Sequence, residues 1–522
     1  MKDKLGQMRA ALLVLSVALT GAALGELPPL ERPYRILMLL PVGSKSHKVF
    51  FTSVADVLGE RGHQVVMLSS YPASSKNPNV LEINHGLKDF DVEDMNLFES
   101  RNDPTGGFSS LQNTLPAMTK KLYKVPKVME LYEKRKTFDL IILDYTINEM
   151  IYPFVHELTH MTIAVYGMDP CHSAVFGNVQ NPAYVSGVRR EYPKPLSFGD
   201  RFLNLVQHVV IPFYWRHWSP VPKIQEEVSE IFPELPPLLD IERNQSLTLV
   251  NSHFSMDVAL PLLPSQVEVG AIHCRPAKPL PKELESWISG AGSEGVVYFS
   301  LGTVVRGNSM PVVYRDMFVE AFKRLKQRVV WKYEGKIEGI SDNVLIHNWL
   351  PQQDILGHPN VKVFISHGGL LSTQESLYHA TPVVALPIFA DQPKNAMNIQ
   401  KRGLGVVLVW EELSVDIIVN AIQEVMNNPK YKRNAEEVRS VVRDQPDTPR
   451  ERAVFWTEYV VRHQGAPRLR SPAAKLSWVE FLMLDVLLVF HVVVYVAFCV
   501  LSRIGRAIAG KLFPRSGKRD LV

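Results

Sequence analysis

A chain of 522 residues is too long for one ordinary hydrophobic core and calls for two domains with accessory segments. Lysine and arginine number 57 against 53 acidic residues, a formal net charge of +4, and the basic excess gathers near the C-terminus; this argues against nucleic acid as a partner. Cys171, Cys274 and Cys499 lack metal-ligand spacing and Cys499 lies in an apolar run, which leaves at most one disulfide.

Lys2, Lys4 and Arg9 precede an apolar stretch over 10–24, and small residues Ala23 and Gly25 follow before Glu26. This order predicts a secretory signal peptide over 1–25. An apolar run over 34–40, ended by Pro41 and Gly43, reads as a strand; a helical pattern over 49–61, a turn at Gly62-His63 and a second strand over 64–68 complete a β-α-β unit of an open parallel sheet. A further buried strand is expected over 138–144. Residues 170–240, rich in proline and in aromatics such as Phe176, Tyr184, Tyr192, Phe198, Trp215 and Trp218, show weak periodicity and predict an irregular, apolar-lined insertion. The first domain is thus read as 26–260.

Pro261, Pro264, Pro276, Pro279 and Pro281 mark a linker over 261–281. A second βα series follows in 282–470, with strands predicted over 296–301, 328–332, 344–347, 361–366, 382–387 and 406–409, and helices near 312–326, 371–380, 392–402 and 413–427. The expected architecture is α/β, two doubly wound Rossmann-like domains facing a cleft between their carboxyl edges. Residues 481–501 carry only Asp485 and His491 as ionisable groups and are long enough to cross a bilayer as one helix. The tail, 502–522, holds Arg503, Arg506, Lys511, Arg515, Lys518 and Arg519 against Asp520, which places it in the cytosol and the rest of the chain in the lumen, as a single-pass protein of the endoplasmic reticulum membrane. Asn244-Gln245-Ser246 is the one Asn-x-Ser/Thr sequon, with Asn244 as the expected glycosylation site.

The chemistry-bearing stretch is Trp349-Leu-Pro-Gln-Gln-Asp-Ile-Leu-Gly-His-Pro359, then Phe364-Ile-Ser-His-Gly-Gly369, Glu375 and Phe389-Ala-Asp-Gln392. His367-Gly368-Gly369 lies between a strand end and a helix start, where backbone N–H groups and the helix N-terminus form a cradle for a diphosphate. Trp349 can offer a flat face to a base. This ordered series, with Arg275-Pro-Ala-Lys-Pro-Leu-Pro281 and Phe299-Ser-Leu-Gly-Thr303, closely resembles the signature of the UDP-glycosyltransferase family, which conjugates lipophilic small molecules in animals. The resemblance covers nearly the whole chain. It implies a GT-B fold with the acceptor on the N-terminal half and the UDP-sugar on the C-terminal half. By the same resemblance Trp349 stacks on uracil with Gln352 beside it, Glu375 takes the ribose hydroxyls, His367, Gly369 and the Gly302-Thr303 turn hold the diphosphate, and Asp391 and Gln392 bind the sugar. Where many vertebrate members have Asn-Gly, this chain has Leu371-Ser372, so one phosphate-contacting side chain is lost or replaced by Ser372; the Leu-Ser form is similar to the arthropod branch.

Transfer to a hydroxyl needs a base near neutrality. His47 follows the first strand and Asp144 ends another strand of the same sheet, so both belong to the cleft-facing edge, and the resemblance makes His47 the base and Asp144 its partner. Asp139 opens its strand and belongs to the opposite edge. The expected activity is an inverting, metal-independent and cofactor-free transfer of a hexose from a UDP-sugar to a small lipophilic acceptor. A soluble epimerase or phosphorylase of the same architecture conflicts with the signal and span, and a non-catalytic lumenal binding protein conflicts with His47 and Asp144. For the sugar, the position about ten residues before Pro261-Leu-Leu-Pro264, an arginine in glucuronic acid-using relatives, is Asn251 here. Asn251 cannot neutralise a carboxylate, so UDP-glucose is expected over UDP-glucuronic acid.

Overall fold

The computed structural model describes residues 32–88, 108–187 and 191–512, together with Leu27, Pro29, Leu30, Phe98 and Arg101; the signal peptide expected over 1–25 and the tail beyond 512 lie outside the described residues. The first half forms a seven-stranded sheet from β1 (Arg35–Leu40), β2 (Gln64–Ser69), β3 (Val80–Asn84), β4 (Leu140–Asp144), β5 (His160–Ala164), β6 (Thr248–Val250) and β7 (Gln266–Glu268), in the order β3-β2-β1-β4-β5-β6-β7. The second forms a six-stranded sheet from β8 (Val296–Ser300), β9 (Arg328–Lys332), β10 (Val344–His347), β11 (Val361–Ser366), β12 (Val383–Ala385) and β13 (Gly405–Val407), in the order β10-β9-β8-β11-β12-β13. Every pairing in both sheets is parallel. Strands of such sheets are covered on both faces, so they read as continuous apolar runs, as RILMLL of β1 and LIILD of β4 do. Ile36, Met38 and Leu40 pack on one face of the first sheet, Leu37 and Leu39 on the other.

Helix α1 (Lys45–Glu60) begins four residues before the apolar pattern suggests. Ser44 caps it, accepting from the His47 backbone while the Ser44 backbone N–H donates to the His47 ring, and this reciprocal box pulls the expected loop into the first turn. Residues 170–240 are not an irregular insertion. They form α2 (Pro170–Val175), α3 (Phe198–Phe213) and two further helices, Val221–Ile231 and Leu238–Glu242. Helix α3 turns its apolar side outward, so its apolar stripe did not mark a core-facing element.

The segment 261–281 is not all linker either, because β7 adds an edge strand to the first sheet before the chain crosses over. In the second half, α4 (Gln352–Leu356), α5 (Leu370–His379) and α6 (Gln392–Lys401) each start at the carboxyl side of a strand. Helix α7 (Pro449–Arg462) then returns to the first half. Its Ala453, Val454 and Val460 join the core of Ile36 and Phe51, and its buried Glu458 accepts from Arg61 Nε at 2.8 Å, so packing does not follow a boundary at 470. Cys171 and Cys274 are both free thiols, and no disulfide joins them. Helix α8 (Leu484–Leu512) is long and apolar enough to cross a membrane, has no buried residue, and runs eleven residues past the expected end at Leu501.

Candidate active site between the two sheet edges

In each sheet the order reverses beside the first strand, between β1 and β4 and between β8 and β11. The helices leaving such a point diverge to opposite faces and open a notch at the carboxyl edge, the usual ligand position in open α/β sheets. His47 and Asp144 lie at the first notch and Gly302, Thr303, His367 and Gly369 at the second, while Asn251 and Asn244 lie elsewhere. On the second sheet, Gly302 leaves β8 with φ +86°, and His367 and Gly369 leave β11. A Cβ at Gly302 would lie 2.6 Å from His367 Cε1, and one at Gly369 would lie 2.4 Å from His367 Nε2. The imidazole is therefore wedged between two glycines that nothing larger can replace. Burial lowers its pKa to about 4, so the ring is neutral. Gly369 caps α5 with no side-chain hydrogen bond; the Leu370 N–H that opens the helix is turned to the Asp391 carboxylate, and the N–H groups that follow it in the first turn have no partner within the helix and can meet an anion.

One helical turn into α5, Ser372 and Glu375 face α4. Gln352 Nε2 donates to Glu375 Oε2 at 2.5 Å and to Ser372 Oγ at 3.0 Å, while Tyr298 donates to Gln352 Oε1 at 3.1 Å. Gln353 donates to Glu375 Oε1 at 3.1 Å. Burial still raises the Glu375 pKa to about 7, against the pull of these donors. Trp349 is 60% exposed at the rim, with Lys45 Nζ from the opposite half 4.8 Å from its ring centroid. Asp391 is buried, accepts from Asn395 at 2.7 Å, and is held above the usual carboxylate range by burial. Gln392 Oε1 accepts from the Ile388 and Phe389 backbone, which fixes its amide and leaves the NH2 for a ligand oxygen.

On the first sheet, His47 is buried at the start of α1. Its Nδ1 accepts from Ser44 N at 3.2 Å and lies 2.7 Å from Ser44 Oγ; burial lowers its pKa to about 4. Asp144 does not bond to His47 in this state. Its carboxylate accepts from Asn148 Nδ2 at 2.8 Å and Thr146 N at 3.3 Å, and burial lifts it well above the usual range. Tyr166, just beyond β5, joins the two groups. Its ring meets His47 edge-on at 4.6 Å, and the Asp391 and Asp144 carboxylates, from opposite halves, both add to the burial that raises its hydroxyl pKa. Asp139 lies at the far edge, in an ion pair with Arg32, as its place at the strand start required.

Comparison with known proteins agrees with this geometry. The family model described as "UDP-glucoronosyl and UDP-glucosyl transferase" matches residues 36–511. The chain belongs to that family. It is 34% identical over 473 residues to UDP-glycosyltransferase UGT5 of Dactylopius coccus, covering 87% of this chain and 88% of that one, and 32% identical to UDP-glucosyltransferase 2 of the same organism, covering 90% and 92%. UDP-glucuronosyltransferase 2B30 of Macaca fascicularis is 29% identical, with 91% and 94% covered. Among solved structures, Os79 from O. sativa in complex with U2F and trichothecene superposes with a TM-score of 0.54 at 18% identity over 82% of this chain and all of that one, and a UDP-glucosyltransferase from Polygonum tinctorium with 0.55 at 15% over 83% and 99%. The fold is GT-B, and the chain is a glycosyltransferase.

In this UDP-glycosyltransferase Thr303 follows Gly302 at the same notch, half-buried. Asn251 sits deeper than the sequence implied. Fully buried where the halves meet, it donates to Val165 O at 2.9 Å and lines a small cavity with Thr373, Gln374 and Asn395. Asn244 is exposed and its Oδ1 accepts from Arg470, while Ser246 of the sequon is buried. Sequence reasoning missed Lys45, Asn148, Tyr166 and Gln353. Only Lys45 carried a signal, its place two residues before His47.

Gly302→Ala puts a methyl group against the His367 ring at a φ that L-residues disfavour. UDP affinity measured by calorimetry is expected to fall about tenfold or more, roughly 1.4 kcal/mol, with the fold retained. Unchanged affinity would remove His367 from the diphosphate site.

Proposed function

We propose that the chain transfers glucose from UDP-glucose, with inversion, to a hydroxyl of a small lipophilic acceptor, from the lumenal side of the endoplasmic reticulum membrane and anchored by α8. The observation that carries this reading is a neutral, buried His47 at the reversal point of one sheet and the Gly302–His367–Gly369 cradle at the reversal point of the other, with Lys45 over Trp349 and Tyr166 near Asp391 bringing the two edges together. UDP lies along the second sheet edge. Trp349 stacks on uracil and displaces or is flanked by Lys45, Glu375 receives the ribose hydroxyls with Gln352 fixing its carboxylate, and the diphosphate rests on His367, the Gly302-Thr303 turn and the N-terminus of α5. Ser372, bonded to Gln352, ties the ribose end to this turn. Asp391 and Gln392 hold the hexose, and UDP departs onto the α5 terminus without a metal ion or cofactor.

His47 Nδ1 accepts the Ser44 backbone N–H, so the ring proton sits on Nε2. Accepting a proton at Nε2 needs the other tautomer: the Nε2 proton passes to solvent, Nδ1 takes one up, and Nδ1–H then donates to a carboxylate in place of its contact with Ser44; in this reading that carboxylate is Asp144 in its ionised form. Such bonds commonly tighten only in the substrate complex. The hydroxyl loses its proton to Nε2 as its oxygen attacks the anomeric carbon, and the C1–O bond to UDP breaks on the opposite side. His47→Ala is expected to lower kcat by about 10²–10⁴-fold, the worth of a general base, with UDP affinity by calorimetry unchanged. In the native protein the titration of Glu375 changes kcat/KM near pH 7; in Glu375→Gln, where that group no longer titrates, kcat/KM is expected to stay level until the pH falls toward about 4, where His47 takes up a proton. A loss in Glu375→Gln centred at an ordinary histidine value would place the base elsewhere.

The donor preference rests on Asn251, which has no charge to offer a carboxylate, and on the likeness to UDP-glucosyltransferase 2. Side-by-side kcat/KM values are expected to favour UDP-glucose, with UDP-galactose next. A preference for UDP-glucuronic acid, the sugar named in the mammalian relatives, would reverse the assignment.

A further inference from the structure

Helix α3 has its polarity inverted. Phe198, Phe202, Leu205, Val206, Val209 and Phe213 recur at steps of three and four and form one exposed stripe, with Phe198 78% exposed. The polar residues of its middle turns point the other way. Asn204 is completely buried and donates to Pro182 O and Val185 O, Gln207 and His208 are half-buried, and at the helix end Trp215 donates to the buried Glu149 while Arg216 pairs with the buried Glu242. A helix in contact with water places these stripes the other way round. Exposed apolar surface of this extent marks an interaction site.

Two contacts say what covers it. Gly177, just past α2, lies against the segment that leads into α8: a Cβ there would fall 2.5 Å from Ala474 N and 2.8 Å from the Ala473 carbonyl carbon. Helix α2 in turn touches α3, so the start of the membrane anchor is pinned beside the inverted helix. Trp218, 73% exposed, and Trp478 flank the two elements with rings suited to the headgroup level. On its other side α2 reaches the catalytic edge, where His172 stacks on Tyr145, the neighbour of Asp144, at 3.5 Å between centroids.

We propose that α3 lies in the headgroup and acyl boundary of the bilayer that α8 crosses, and that lipophilic acceptors pass from this leaflet to His47 beside α2. The proposal rests on the reading of α8 as a membrane span. The polar stripe of α3 is held by protein groups, so the helix keeps its backbone and inner side chains satisfied while its apolar stripe exchanges water for lipid.

The test uses the full chain reconstituted in phosphatidylcholine vesicles that contain a diazirine-bearing phospholipid, irradiated and mapped by peptide mass. Adducts are expected both in 484–512 and on the outward residues of 198–218. Adducts in 484–512 alone would overturn the docking of α3 and leave the anchor intact; adducts in neither would overturn both. Efficient cross-linking between copies through Val209→Cys, with no lipid adduct, would assign the stripe to a second copy of this chain instead. The fourfold variant Phe202→Ser, Val206→Ser, Val209→Ser, Phe213→Ser is expected to raise KM for a long-chain alcohol several-fold while KM for UDP-glucose and for a water-soluble phenol stays unchanged. An unchanged KM for the long-chain alcohol would overturn delivery from the leaflet.

Discussion

Right-handed β-α-β crossovers let a parallel sheet grow outward from its first strand in two directions, and the two helices that leave the starting point must then pass on opposite faces. In this chain that constraint acts twice, at β1/β4 and at β8/β11. It puts His47 and Asp144 at one notch, and the Gly302 turn and His367-Gly368-Gly369 at the other. Tyr166 and Lys45 reach toward the opposing half from the first notch. The site is thus built from residues far apart in the chain that end a strand, follow it in the loop, or stand in the first turns of the next helix.

Burial lowers His47 and His367 and raises Asp144 and Glu375, so all four groups are shifted toward their neutral forms. A dianionic diphosphate against free helix N–H groups and neutral donors avoids an unpaired buried cation, and a histidine kept neutral is ready to accept a proton. The Ser44 box that caps α1 also holds the His47 ring, so one serine serves the helix end and the imidazole.

The two sheets were legible because both-face burial writes each strand as an apolar run between glycines and prolines, and β8 to β13 fall where those runs lie. The strands β3, β5, β6 and β7 were not, since three to five residues with interspersed polar side chains carry little period. Helix α3 defeated the pattern for a different reason: an apolar stripe announces a helix but not which side of it faces the core. The return of α7 to the first half depends on a buried Glu458 that meets Arg61 and His63 nearly 400 positions earlier, a pairing no local signal contains. Side chains named through the family signature fell at the second notch as a group, whereas Tyr166 and Asn148 act through contacts that only the folded chain creates.

A single displacement by a hydroxyl that His47 deprotonates has one stereochemical outcome. The donor is an α-linked UDP-sugar, so the anomeric proton of the purified glucoside, read by NMR from its coupling to H2, must report a β-linkage. A product of retained α-configuration would require a second displacement or an internal return, neither of which the arrangement of His47 and Asp144 against the diphosphate cradle provides, and would contradict the account at its centre.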